Sequence, residues 1–272
     1  MDLSPSEQLC YSTIRIECIT SNGTSTGTGF FFNFLENKET HTHVPCVVTN
    51  KHVVENALHG ILVLTCKMPD GTEYLHRVNV TDFRQSWIFH PESSVDLCIM
   101  PFQPIVEEVL KQGHHPYYIA LSANLIPSKE QLEDLSALED IIMIGYPDGI
   151  WDSVNNKPIL RKGITATHPK RNFNGEKKFL IDAACFPGSS GSPVLILNQG
   201  SYSDRKGTVF IGNRAMFLGV LHAGPQHTAQ GQIRFANIPT TFTSIPNNLG
   251  LVIKSDALYA FEDILKELLL KQ

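Results

Sequence analysis

The sequence predicts an all-β protein in two strand-rich halves, built as antiparallel barrels or a sandwich, with one helix at its C-terminus. Three observations carry this. About a dozen short apolar or alternating runs recur along the chain, each of strand length and bounded by turn residues. Asn22-Gly23, Asp70-Gly71, Asp148-Gly149, Asn174-Gly175 and Asn198-Gln199-Gly200 separate many of these runs and offer the positive-φ positions that hairpins favour. Helical periodicity is confined to two stretches, and many short strands with few helices pack sheet on sheet or close into barrels.

In chain order the strand-like runs span 12–20, 27–34, 44–49, 60–68, 72–80 and 95–101, then 141–145, 159–167, 179–184, 193–197, 216–222, 233–237 and 249–253. Between Pro104 and Leu138 the pattern loosens into charged and polar residues, with short helical pieces at 106–111 and 129–138. The expected division is therefore a first unit over 1–115, a linker over 116–138, a second unit over 139–254 and a helix over 255–272. In that helix Leu258, Phe261, Ile264, Leu265, Leu268 and Leu269 recur at spacings of three and four and line one face. Ser255 or Asp256 can cap its start, and Lys266 and Lys271 lie toward the negative end of its dipole.

Composition narrows the function. At 272 residues, with 42% hydrophobic and 18% charged, the chain has the make-up of an ordinary folded protein. Lys and Arg number 22 against 27 Asp and Glu, a net charge of -5, so there is no basic field to draw phosphate backbones or anionic lipid. Neither nucleic acid nor membrane is an expected partner. The polar start has no signal-peptide pattern and no run reaches the roughly 18 apolar residues of a membrane helix, which makes a cytoplasmic location the expectation. Cys10, Cys18, Cys46, Cys66, Cys98 and Cys185 show no Cys-x-x-Cys spacing and read as reduced thiols. The pairs His41/His43 and His114/His115 lack ligand companions and read as loop residues, so no metal and no cofactor is expected.

The segment Phe186-Pro187-Gly188-Ser189-Ser190-Gly191-Ser192-Pro193 carries the chemistry. Two glycines around a serine allow backbone conformations that project the hydroxyl of Ser190 and turn the amides of Gly188 and Ser190 toward one point, an oxyanion hole. A Gly/Ser-rich hairpin is the plain alternative. Serine needs a base to take its proton, and Cys46-Val47-Val48-Thr49-Asn50-Lys51-His52 runs an apolar strand into a polar turn that presents His52. Asp96 sits inside the apolar run Val95-Asp96-Leu97-Cys98-Ile99, and an acid drawn into such surroundings requires a specific partner, for which an imidazole N–H serves.

With histidine, aspartate and serine in that order, the chain resembles the trypsin-like (chymotrypsin-fold) serine peptidases. Gly27-Thr28-Gly29-Phe30-Phe31 is similar to the family's first hairpin, and Ile144-Gly145-Tyr146-Pro147 and Lys162-Gly163-Ile164-Thr165-Ala166 to the second barrel of HtrA-like and glutamyl-endopeptidase-like members. The resemblance implies two six-stranded antiparallel barrels with a C-terminal helix, catalytic residues His52, Asp96 and Ser190, and a protein or peptide substrate cleaved through an acyl-enzyme. Ser189 stands where digestive members carry an aspartate, so activation by N-terminal trimming is not implied. The pocket for the side chain before the cleaved bond (P1) is expected at Ala184 and Cys185, which disfavours Lys and Arg there and points to small or uncharged residues. Leu221, His222, Ala223 and Gly224 are expected to form the other wall and to pair with substrate as an added strand. His222 lies three residues after Gly219, whereas the S1 histidine of glutamyl endopeptidases and picornain-like proteases lies two after, so it reads either as a pocket residue or as a cleft-lining one. A cytoplasmic peptidase calls for restraint, so a regulatory protein partner in a bacterial stress or defence setting is a further expectation. The competing function is a silent module of the same fold that binds extended peptides by strand addition.

Overall fold

The computed structural model describes residues 3–223, 226–228, 244–246 and 248–271. The expected strand at 233–237 and Gly224 lie outside the described residues. A short helix, α1 (Pro5–Leu9), starts the chain and is held by a reciprocal capping box between Ser4 and Glu7. The first half contains β1 (Thr13–Thr20), β2 (Gly23–Asn37), β3 (Thr42–Thr49), the one-turn α2 (Lys51–Val54), β4 (His59–Lys67), β5 (Glu73–Val80), β6 (Ile88–Phe89) and β7 (Cys98–Pro101). They pair in the order β5-β4-β1-β2-β3-β7-β6.

This first sheet is not a closed barrel, contrary to the sequence expectation of two. Its ends, β5 and β6, are not paired. The chain between them runs through turns, and β6 is only two residues long. Phe83 and Trp87, both buried and 5.7 Å apart edge to face, cover that end of the core with rings instead of ladder hydrogen bonds. The dividing stretch is structured too. It holds α3 (Gln103–Lys111), β8 (Leu121–Ser122), which adds parallel to β2, and α4 (Lys129–Asp134), capped by Ser128 and Gln131.

The second half does close. Strands β9 (Asp140–Gly145), β10 (Ile159–Thr165), β11 (Lys178–Asp182) and β12 (Pro193–Asn198) are followed by the outlying hairpin β13 (Ser201–Ser203) and β14 (Val209–Ile211). Next come β15 (Arg214–Ala223), the separate pair β16 (Gln226–Thr228) and β17 (Ser244–Pro246), and β18 (Leu249–Lys254). The closed barrel runs β10-β11-β18-β15-β12-β9. Strand β11 shows how pattern becomes packing: Phe179 and Ile181 alternate inward beside Met143, Val194 and Val252, while their neighbours face out.

A second apolar layer joins the halves. On β2, Phe30, Phe32 and Phe34 point toward the barrel's Phe217, Leu195 and Ile144, while Phe31 alternates into the core of the first sheet. The C-terminal segment seals this layer. A 3-10 turn (Ser255–Tyr259) leads directly into α5 (Ala260–Leu270), so neither Ser255 nor Asp256 caps the helix by its side chain. Phe261 and Leu265 are buried on the shared layer, and Leu268 and Leu269 face solvent. All six cysteines are free, and burial pushes the thiols of Cys18 and Cys46 up to about 12. Among the described residues no helix is long and apolar enough to cross a membrane.

Phe261 touches both the β2 aromatic row and His90, with ring centres 6.2 Å from Phe34 and 5.3 Å from His90. Replacing it with alanine removes a fully buried ring, and Phe261→Ala is expected to lower stability by roughly 3–5 kcal/mol in urea unfolding.

Candidate active site

Strand β3 ends at Thr49, and the chain turns through buried Asn50 into the single turn α2, which lifts His52 to the surface of the cleft. The loop carrying Asp96 is tied to that turn by three hydrogen bonds. Asn50 Nδ2 donates to the Asp96 carbonyl at 2.8 Å, and Lys51 Nζ donates to the carbonyls of His90 and Glu92, each at 3.2 Å. Val95 and Leu97 are buried on either side of Asp96 in this loop just before β7, and their burial anchors the segment that presents its carboxylate to His52.

That carboxylate is fully engaged. Oδ1 accepts from the backbone N–H of His52 at 3.1 Å, and Oδ2 accepts from His52 Nδ1 at 2.5 Å and from His222 Nδ1 at 2.8 Å. An ionised carboxylate only accepts, so both imidazoles carry their proton on Nδ1. This leaves His52 Nε2 with a free lone pair on a side chain that is 42% exposed. Burial works against the charged form of Asp96. The hydrogen bonds from His222 and His52 outweigh it and hold the carboxyl well below the usual carboxylate range.

The Ser190 loop is locked against the first sheet. Thr28 on β2 donates its N–H to the Ser190 carbonyl at 3.0 Å and its Oγ1 to the Gly188 carbonyl at 2.9 Å, and Oγ1 accepts from the Tyr146 N–H at 3.1 Å. Gly191 has φ +88, and a Cβ there would collide with the Thr28 carbonyl. Two further bonds orient the amides. Asp148 N–H donates to the Pro187 carbonyl at 2.6 Å and Ser192 N–H to the Ser189 carbonyl at 3.0 Å. Because C=O and N–H point opposite ways across a trans peptide, the N–H groups of Gly188 and Ser190 are turned away from those acceptors. Neither has a hydrogen-bond partner among the described residues.

His52, Asp96 and Ser190 lie in one cleft, linked through His222, and the arrangement departs from expectation at several residues. Ser190 Oγ donates to the His222 carbonyl at 3.4 Å, and among the described residues no hydrogen bond joins it to His52. His222 bridges the two halves of the site, its carbonyl meeting Ser190 and its ring meeting Asp96. The imidazole therefore faces the aspartate and not the substrate pocket. The local backbone contains the reason: the register of β15 against β18 shifts between Leu221 and Ala223, and such a bulge at His222 re-aims its side chain. Leu221 also departs from expectation. Its N–H donates to the Ser192 carbonyl and its carbonyl accepts from Gly191 N–H, each at 2.9 Å, so its backbone is spent on the serine loop and is not free to pair with substrate. Ala223 continues β15 opposite Leu251. Cys185 is buried, and Ala184 is partly buried with its carbonyl bonded to Arg161, a residue that sequence reasoning did not single out.

Residues 27–201 match the family described as the trypsin-like peptidase domain. The chain belongs to the trypsin-like peptidases. Among solved structures this peptidase is similar to the active form of the Rv3671c protease from M. tuberculosis, with 15% identity, a TM-score of 0.46, and coverage of 95% of this chain and 86% of that one. It is also similar to a serine endoprotease from Yersinia pestis, at 14% identity and TM-score 0.45, covering 97% of this chain and 67% of that one. The thermostable serine protease AL20 from an extremophilic microorganism aligns at 11% identity and TM-score 0.47, covering 94% and 98%. Among curated proteins no match was found.

As to metals, the donor atoms of His52, Asp96 and His222 lie within 4.8 Å of one another, and the shared hydrogen bonds to Asp96 already occupy both Nδ1 atoms.

Two outcomes follow from this geometry. Thr28→Val keeps the shape but strips partners from the buried Gly188 carbonyl and Tyr146 N–H, and is expected to cost roughly 2–4 kcal/mol in urea unfolding. The Asp96 carboxyl has a lower pKa folded than unfolded, so it stabilises the fold above its ordinary value of 3.8 and that contribution is lost as pH falls through the folded value. The unfolding midpoint of Asp96→Asn is accordingly expected to fall less steeply than that of the wild type when pH is lowered below 3.8, as followed by urea titration at each pH.

Proposed function

We propose that this peptidase is a serine endopeptidase that uses Ser190 as nucleophile, His52 as base and Asp96 as the group that orients the base. The observation that carries the reading is the 2.5 Å bond from His52 Nδ1 to Asp96, because it leaves Nε2 as the proton acceptor facing the cleft. Reaction begins when the Ser190 hydroxyl leaves the His222 carbonyl and donates to Nε2. Oγ then bonds to the peptide carbonyl carbon while its proton passes to Nε2, and Asp96 stabilises the imidazolium that results. The carbonyl oxygen gains a negative charge and takes the two unpartnered N–H groups of Gly188 and Ser190, each worth about 3 kcal/mol of transition-state stabilisation. The imidazolium returns the proton to the leaving amine, which departs to give an acyl-Ser190 ester. Water, deprotonated by the same Nε2, releases the acid product and regenerates the hydroxyl.

The resting bond of Ser190 to His222 instead of His52 is the observation that favours the second reading, a silent module that binds peptides. A fluorophosphonate probe separates the two. Labelling of the wild type but not of Ser190→Ala is expected, with His52→Ala and Asp96→Asn lowering peptide hydrolysis by roughly 10⁴-fold. A wild-type chain that takes no label and turns over no peptide would select the silent module.

A further inference from the structure

The second barrel contains a cation for which the proposed mechanism has no use. Arg161 on β10 is paired directly with Met143 on β9, so the two side chains share a face, and Met143 belongs to the barrel's buried core. The guanidinium is therefore directed into the barrel's end. There Nη1 donates to the Ala184 carbonyl at 2.8 Å, and the group lies 4.9 Å from the centre of the Phe186 ring. Nε is shielded from solvent and has no acceptor among the described residues. By contrast, Arg15 and Arg214 each hold a carboxylate, Glu17 at 2.9 Å and Glu139 at 2.6 Å. Among the described residues no carboxylate pairs with Arg161; Asp182 at the end of β11 is exposed and forms no ion pair with it. Nor does a thiolate neutralise the charge. Burial pushes Cys185 up to about 11 even though Arg161 acts in the opposite direction, so the thiol stays protonated.

A guanidinium with five donors, one carbonyl and one ring has capacity left, and a cation drawn out of water is costly until an anion meets it. Its position says where that anion would come from. Residues Ala184, Cys185 and Phe186 run straight into Gly188 and Ser190. The resemblance to trypsin-like peptidases places the pocket for the side chain before the cleaved bond at Ala184 and Cys185. Ala184 and Cys185 are small and neutral, and Arg161 stands behind them.

We propose that Arg161 is a specificity-determining residue that receives an acidic side chain, Glu or Asp, at the P1 position of the substrate. This rests on the Ser190 reading above, and it replaces the sequence expectation of a small or uncharged P1 residue. The carboxylate takes the remaining guanidinium donors as a charge-assisted pair, and a neutral glutamine of the same shape forfeits the charge.

The test uses peptides that differ only at P1 (Glu, Asp, Gln, Leu, Lys), with kcat/KM measured for the wild type, Arg161→Gln and Arg161→Glu. Glu is expected to exceed Gln by roughly 10- to 100-fold in the wild type. That ratio should collapse toward one in Arg161→Gln, and Arg161→Glu should favour Lys, a gain that misfolding cannot imitate. A parallel arm measures binding of the P1-Glu and P1-Gln peptides to Ser190→Ala and to the double variant with Arg161→Gln. If the wild type labels with fluorophosphonate yet cleaves Gln as well as Glu, or if the ratio survives in Arg161→Gln, Arg161 does not read P1. If the wild type takes no label, the Ser190 reading has failed, and the binding arm still decides: equal affinity for Glu and Gln peptides overturns the role of Arg161, while tighter Glu binding lost in the double variant supports it.

Discussion

The peptide unit of Thr28 is the constraint on which the cleft depends. It is completely buried, and each of its polar groups reaches a different part of the site. Its N–H and Oγ1 hold the carbonyls on either side of Ser189, its Oγ1 also takes the Tyr146 N–H from the second half, and its own carbonyl accepts from Thr49 Oγ1 at 2.7 Å, just before the turn that presents His52. A small movement of β2 would therefore disturb the serine loop and the histidine turn together. The apolar layer of Phe30, Phe32, Phe34 and Phe217 lies directly behind and supplies the rigidity, since a close-packed aromatic row resists sliding. The geometry of the cleft in this peptidase is set by a strand of one half clamped to a loop of the other.

Asp96 organises the remaining chemistry. One carboxylate receives a backbone N–H and two imidazoles, and so fixes the tautomer of each ring and leaves Nε2 of the more exposed one, His52, without a bond to it. His222 links the two sides of this arrangement. Its backbone meets Ser190 while its ring meets Asp96, so the positions of acid and hydroxyl are coupled through one residue on β15. The charge of Arg161 completes the electrostatic layout. A negative group sits beside His52 in the cleft, and a positive group with no carboxylate partner among the described residues lies behind the segment that leads into Ser190.

Much of this was legible from residue order. The alternation of Phe179 and Ile181 marked a barrel strand, the three-and-four spacing of Phe261 and Leu265 marked a helix that seals a core, and the flanking glycines marked Ser190 as a projecting hydroxyl. Other features left no such trace. Failure of the first sheet to close depends on how Phe83 and Trp87 fill space, and nothing in a hydropathy pattern distinguishes a ring that covers an edge from one inside a ladder. The offset of His222 by one residue from the expected pocket position was visible, but its meaning required knowing that Asp96 lies within reach of its ring.

The sequence by itself determined the strand-rich halves, the closing helix and the three residue types gathered at the cleft, because periodicity and turn chemistry act over a few neighbouring residues. Only the tertiary structure decided which barrel closes, that Asp96 serves two histidines, that Ser190 rests on His222, and that Arg161 has no carboxylate partner among the described residues. Each of those depends on which polar group meets which partner across distant segments, and a hydrogen bond or ion pair is defined by approach in space, which local sequence does not encode.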